Sequence, residues 1–119
     1  MSFLFEAGDE TLWEAGYVSG RMYFALAQGV ADHLRVSPGL TGGTPRGDCQ
    51  VDVSAFRSFV EHLYREYSST QSVVLHDLLR GMLITSLIML ERAGAPITLE
   101  PEHEEAFQQE KAVLARAMG

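Results

Sequence analysis

The chain has 119 residues, enough for one domain whose core needs neither disulfides nor a structural metal. Hydrophobic residues make up 46% of it, which excludes a disordered polar chain. The net charge of -7 excludes the clustered Lys and Arg that polyanions require, so neither nucleic acid nor an anionic membrane is an expected partner.

Phe3, Leu4 and Phe5 form a short apolar run, and Ala7-Gly8-Asp9-Glu10 supplies turn chemistry before Thr11, Leu12 and Trp13. Residues 1–16 therefore read as a short β-hairpin or an extended arm lying over helices. Trp13 either caps an open end of the helical core or forms a lid over a ligand.

From about residue 17 to 35, Met22, Tyr23, Leu26, Val30 and Leu34 recur at spacings of three and four, opposite Arg21, Gln28, Asp32 and Arg35. This predicts a first amphipathic helix buried through that stripe, with Gly20 and Gly29 thin enough for close helix contact. His33 falls beside the stripe, as a core-edge histidine or a general base.

Residues 36–52 carry Pro38, Gly39, Gly42, Gly43, Pro45 and Gly47 and read as one long irregular loop, a common location for function. No Gly-Lys-Ser/Thr follows its glycines, so it is not a phosphate-binding loop. Cys49 is the single cysteine, which excludes an internal disulfide. Asp48 beside it disfavours a thiolate, and a structural role is expected.

A second helix over about 53–67 starts at Asp52 or Ser54 as cap and turns Phe56, Phe59, Val60, Leu63 and Tyr67 to one side. His62 and Glu66 lie four apart on its flank, a spacing open to a hydrogen bond, a salt bridge or metal ligation. The third helix, 72–93, has Ser69, Thr70 or Ser72 available as cap. Leu75, Leu78, Leu79, Met82, Leu83, Met89 and Leu90 share one face, and Met82 to Leu90 is apolar all round.

His76, Asp77, Arg80, Glu91 and Arg92 interrupt or bound that run, leaving it well short of the roughly 20 apolar residues of a membrane span. Gly81 permits close approach of another backbone, and Gly94 followed by Pro96 ends the helix. Ile97 to Leu99 reads as a minor strand pairing with the N-terminal arm. Pro101 then opens a last helix, 102–117, whose thin stripe of Phe107, Leu114 and Met118 predicts the weakest docking in the domain.

Several strings together resemble a family of small, uncharacterised actinobacterial proteins. They are Gly8-Asp9-Glu10-Thr11-Leu12-Trp13, Asp48-Cys49-Gln50-Val51-Asp52 with Phe56 and Phe59-Val60, and Glu91-Arg92-Ala93-Gly94. The resemblance covers most of residues 8–94, implies a bacterial source and brings no catalytic residue with it.

The expected fold is mainly α, a compact four-helix bundle-like domain with the short N-terminal hairpin or arm. No secretory signal opens the chain, so a cytoplasmic location is expected. The expected function is that of a small acidic protein-binding module, an adaptor or immunity-type inhibitor, which docks its partner at Leu12, Trp13, Tyr17 and Leu40 and is open to homodimer formation.

The alternative is a small-molecule binding or isomerase-like protein using His33, His62, His76, Asp77 and Tyr64 for acid-base work. No cofactor and no metal are expected. Carboxylate-bridged di-metal bundles repeat Glu-x-x-His on two helices, and here Glu100-Pro101-Glu102-His103 is the one match.

Overall fold

A computed structural model describes residues 1–43 and 47–119. The first sixteen residues form two strands, β1 (Ser2–Ala7) and β2 (Glu10–Gly16), joined at Gly8 in the left-handed conformation that glycine adopts at little cost. The segment expected to be a long loop supplies two more, β3 (Leu40–Gly43) and β4 (Asp48–Val51). Its residues 44–46, including Thr44 and Pro45, lie outside the described residues.

The four strands make one sheet in the order β2-β1-β4-β3, with β1 antiparallel to β2, parallel to β4, and β3 antiparallel to β4. With helices α1 (Tyr17–Leu34), α2 (Val53–Ser69), α3 (Val73–Arg92) and α4 (Pro101–Ala117), this is an α+β fold. The sheet overturns the expected mainly α bundle. Residues 95–100 form no strand, so the pairing expected for Ile97 to Leu99 is also absent.

The sheet is one-sided. Phe3 pairs with Ala15 and Phe5 with both Trp13 and Cys49, which puts these side chains on one face; Val51 and Leu40 pair further along it. Phe3, Phe5, Leu40, Cys49 and Val51 are buried, while Ser2, Thr41 and Gln50 face water. Between Phe5 and Glu6 the register slips so that Leu12 has no partner of its own, and this bulge carries Leu12 into the core.

Helix α1 crosses from β2 to β3 along the apolar face, and its close seat decides which residues it buries. A Cβ on Gly20 would lie 2.5 Å from the Cβ of Phe3. Small residues therefore face inward: Gly20, Ala27 and Ala31 are buried together with Tyr23. Met22 and Leu26, expected in the buried stripe, are displaced to the outside. At its end Arg35 takes a left-handed conformation (φ 59°), and the N–H of Val36 reaches back to the carbonyl of Ala31.

Helices α2 and α3 pack side by side, and the Asp52 and Ser72 side chains cap them by accepting from the N–H of Ala55 and Leu75, each at 3.2 Å. Gly94 closes α3, with the N–H of Ala95 donating to Leu90 and that of Gly94 to Glu91. By length and composition α3 is apolar enough to cross a membrane. The fold accounts for that apolarity: Leu83, Ile84, Leu87, Ile88, Met89 and Leu90 are all buried in the common core.

Candidate functional site

Helices α1 and α3 run beside each other and leave large apolar side chains in solvent. On α1 Val18 (65% exposed), Met22 (53%) and Leu26 (54%) follow one another at four-residue intervals, with Ala25 and Gly29 between and beyond them. On α3 Val74 (69%) and Leu78 (72%) do the same, and Gly81 continues the line. Among the described residues nothing lies within 4 Å of where a Cβ on Gly29 or Gly81 would sit, so the close approach expected at each is not made there.

Between the two rows lies a hollow of about 260 Å³ lined by Trp13, Ser19, Met22, Tyr23, Leu26, Leu78, Gly81, Met82 and Thr85. A second, of about 220 Å³, continues along the same pair of helices past Gly29, Val30, His33 and Leu34 toward Leu75 and Leu79. Beneath the first hollow a buried polar pair is fully satisfied. Ser86 Oγ donates to the Met82 carbonyl at 2.8 Å and accepts from the buried Tyr23 hydroxyl at 2.6 Å. Burial pushes the Tyr23 phenol well above its ordinary range, so it stays a neutral donor.

The formal charges within each of the two helices cancel. Arg21 balances Asp32 on α1, and Arg80 and Arg92 balance Asp77 and Glu91 on α3, so the net charge of -7 comes from the rest of the chain.

The four residues expected to bind a partner are split by the fold. Leu12 and Leu40 are core side chains with no surface to offer a partner. Tyr17 is half-buried at the start of α1 and packs against Phe3. Trp13 stacks on Phe5 (5.3 Å between centroids) and meets Tyr23 edge-on, yet it lines the α1–α3 hollow. It also borders a third hollow, near Arg92 and Met118. Trp13 alone of the four belongs to the apolar face.

A family of unknown function (DUF6086) matches residues 1–119. The chain belongs to this family. No curated protein and no solved structure matches it. Membership in DUF6086 therefore adds no activity, and the chemistry has to be read from the side chains.

In this DUF6086 chain, no hydrogen bond, ion pair or ring contact joins any two of His33, His62, His76, Asp77 and Tyr64. His33 borders the second hollow beside Glu66. His62 Nδ1 bonds to the carbonyl of Ser58 one turn back, and Asp77 is exposed. His76 stacks on Tyr67 with 3.9 Å between ring centres.

Tyr64 pairs with a histidine outside the set: its hydroxyl accepts from the N–H of Glu100 at 2.9 Å and meets His103 Nδ1 at 2.7 Å. Around it, Arg80 donates to the Tyr67 hydroxyl at 2.9 Å, pairs with Glu110 and lies over the Phe107 ring. These contacts tie α2, α3 and α4 together and account for most of the polar groups there.

Glu100, Glu102 and His103 place one donor atom each within 4.8 Å of one another, the one such group among the described residues. The two carboxylates are exposed and sit at the start of α4, where the positive end of the helix dipole favours them and opposes a cation. Cys49 is buried, and burial pushes its thiol up to about 12, with Asp48 adding to the rise against a bond from Thr41. It is a core thiol without nucleophilic character at neutral pH.

Proposed function

We propose that this chain is a small acidic protein-binding module, acting in the cytoplasm of an actinobacterium, and that it docks its partner on the face shared by α1 and α3. The observation that carries this reading is the row of Val18, Met22 and Leu26 set beside Val74 and Leu78, all more than half exposed on two adjoining helices. Large apolar side chains left exposed on two adjoining helices are what an interaction site presents. Among the described residues no buried side-chain polar atom is left without a hydrogen-bond partner, and most of the hollow's lining is apolar, which suits an apolar partner surface better than a polar substrate.

The balanced charges of α1 and α3 are compatible with the same choice, since a partner of either charge meets little net repulsion from these helices. A photo-crosslinking residue placed at Leu26 or Leu78 in the native host, with Glu105 on α4 as control position, tests it. The expected outcome is a discrete protein adduct from positions 26 and 78 and none from 105. The captured protein should then bind purified wild-type chain and lose at least about tenfold in affinity for Leu78→Asp, a typical loss at a central apolar contact. Equal adducts from all three positions, or a partner indifferent to Leu78→Asp, would remove the support for this face.

A further inference from the structure

We infer that the occupant of the α1–α3 face is a second copy of this chain, docked about a two-fold axis that crosses α1 near Leu26 and Ala27. The inference rests on reading that face as a docking surface and identifies what covers it. In an antiparallel α1–α1 contact with that axis, Arg21 of each copy stands against Asp32 of the other, because the two positions are equally far from the axis along the helix. They also lie on one side of it, since eleven residues are close to three full turns. Both side chains are exposed, and neither has a salt-bridge partner among the described residues.

Two further observations fit a copy of the same chain. Ala25 and Gly29, one turn apart on the exposed side of α1, leave bare backbone where a crossing helix needs it. A chain carrying -7 repels its copy wherever acidic groups meet, and the charges within α1 and within α3 each sum to zero, as they do in α2, whereas α4 is net acidic.

Size is adequate. At about 1.5 Å per residue α1 is about 27 Å long, and with α3 beside it the face offers on the order of 500 Å² per copy, the scale of a weak to moderate dimer. An isologous contact of this kind closes on itself and gives a dimer rather than a filament.

Sedimentation velocity on the full chain over a concentration series from about 1 to several hundred micromolar, the range where interfaces of this size associate, reads the result. The wild type should pass from monomer to dimer within the series. Leu26→Asp, which meets the interface from both copies, should raise the dissociation constant about a hundredfold while far-UV circular dichroism stays unchanged, because that side chain is exposed in the monomer.

Arg21→Glu should weaken the dimer about tenfold, and Arg21→Glu combined with Asp32→Arg should restore it by exchanging the pair. A wild type that stays monomeric throughout overturns this inference while leaving the face open to a foreign protein, which the crosslinking at Leu26 and Leu78 reports separately. A dimer untouched by Leu26→Asp, or one that Arg21→Glu weakens without rescue, also overturns it. So does a monomer that binds phosphatidylcholine vesicles through Leu26, since the occupant is then a lipid surface.

Discussion

Tyr23 and Ser86 show how a single buried polar pair can be asymmetric. Both are buried, one on α1 and one on α3, and their hydroxyls meet at 2.6 Å. Ser86 has a second partner, the Met82 carbonyl, whereas among the described residues Ser86 is the one hydrogen-bond partner of the Tyr23 hydroxyl. Tyr23→Phe removes one bond and leaves Ser86 satisfied, so it should cost about 1 kcal/mol. Ser86→Ala strands the Tyr23 hydroxyl inside the core and should cost about 2 to 3 kcal/mol. The double variant should be no less stable than Ser86→Ala alone, because the stranded group is then gone. Urea denaturation of the three variants checks the order; equal losses for the two single variants would show that water reaches Tyr23.

At the scale of elements, α4 is held by a small number of contacts that act together. Phe107 is its buried side chain, Met118 just past its end is buried as well, and its start is fixed by the Tyr64 hydroxyl, which meets both the Glu100 N–H and His103 Nδ1. Tyr64→Phe removes both contacts at the exposed first turn and should cost about 1 to 2 kcal/mol. The loss should be local. Amide exchange across Pro101–Ala117 should quicken while α2 and α3 keep their protection, because Tyr67, Leu79 and Leu83 remain packed. A uniform rise over all four helices would mean that α4 unfolds only with the whole chain.

The same elements show what the sequence makes legible. Helical periodicity and caps such as Ser72 and Asp52 are local signals, so helical segments can be read directly from the chain. β3 and β4 give no such signal. Leu40-Thr41-Gly42-Gly43 has two glycines at positive φ in a four-residue strand, and β4 is fixed by β1, more than forty positions away in the chain. The exposed face was hidden for a related reason. Counting large apolar residues assigns Met22 and Leu26 to the core, whereas a helix seated on Phe3 turns Gly20, Ala27 and Ala31 inward. Likewise Tyr64 meets His103 from 39 positions away, which no local spacing reveals.

For the molecule as a whole, α3 is the element every other layer uses. It lies against β2, α1, α2 and α4, and from Leu83 to Leu90 each residue except Thr85 is buried. Arg92 at its end donates to the carbonyls of Leu12 at 2.9 Å and Ala115 at 3.0 Å, joining the bulge of β2 to the last turn of α4. A charge placed in the middle of this segment cannot be relieved by local fraying, because the surrounding layers do not share a free edge with it.

Ile88→Asp should therefore abolish cooperative folding, since burying an uncompensated carboxylate costs several kcal/mol out of a total stability of about 5 to 15. Leu78→Asp, ten residues earlier on the same helix and 72% exposed, should shift the melting temperature by no more than a few degrees. Thermal melts followed by circular dichroism compare the two directly. A folded Ile88→Asp with a wild-type melting temperature would contradict the position of α3 at the centre of the fold. An unfolded Leu78→Asp would show that the apolar face is needed for folding in the monomer and is not a surface held for a partner.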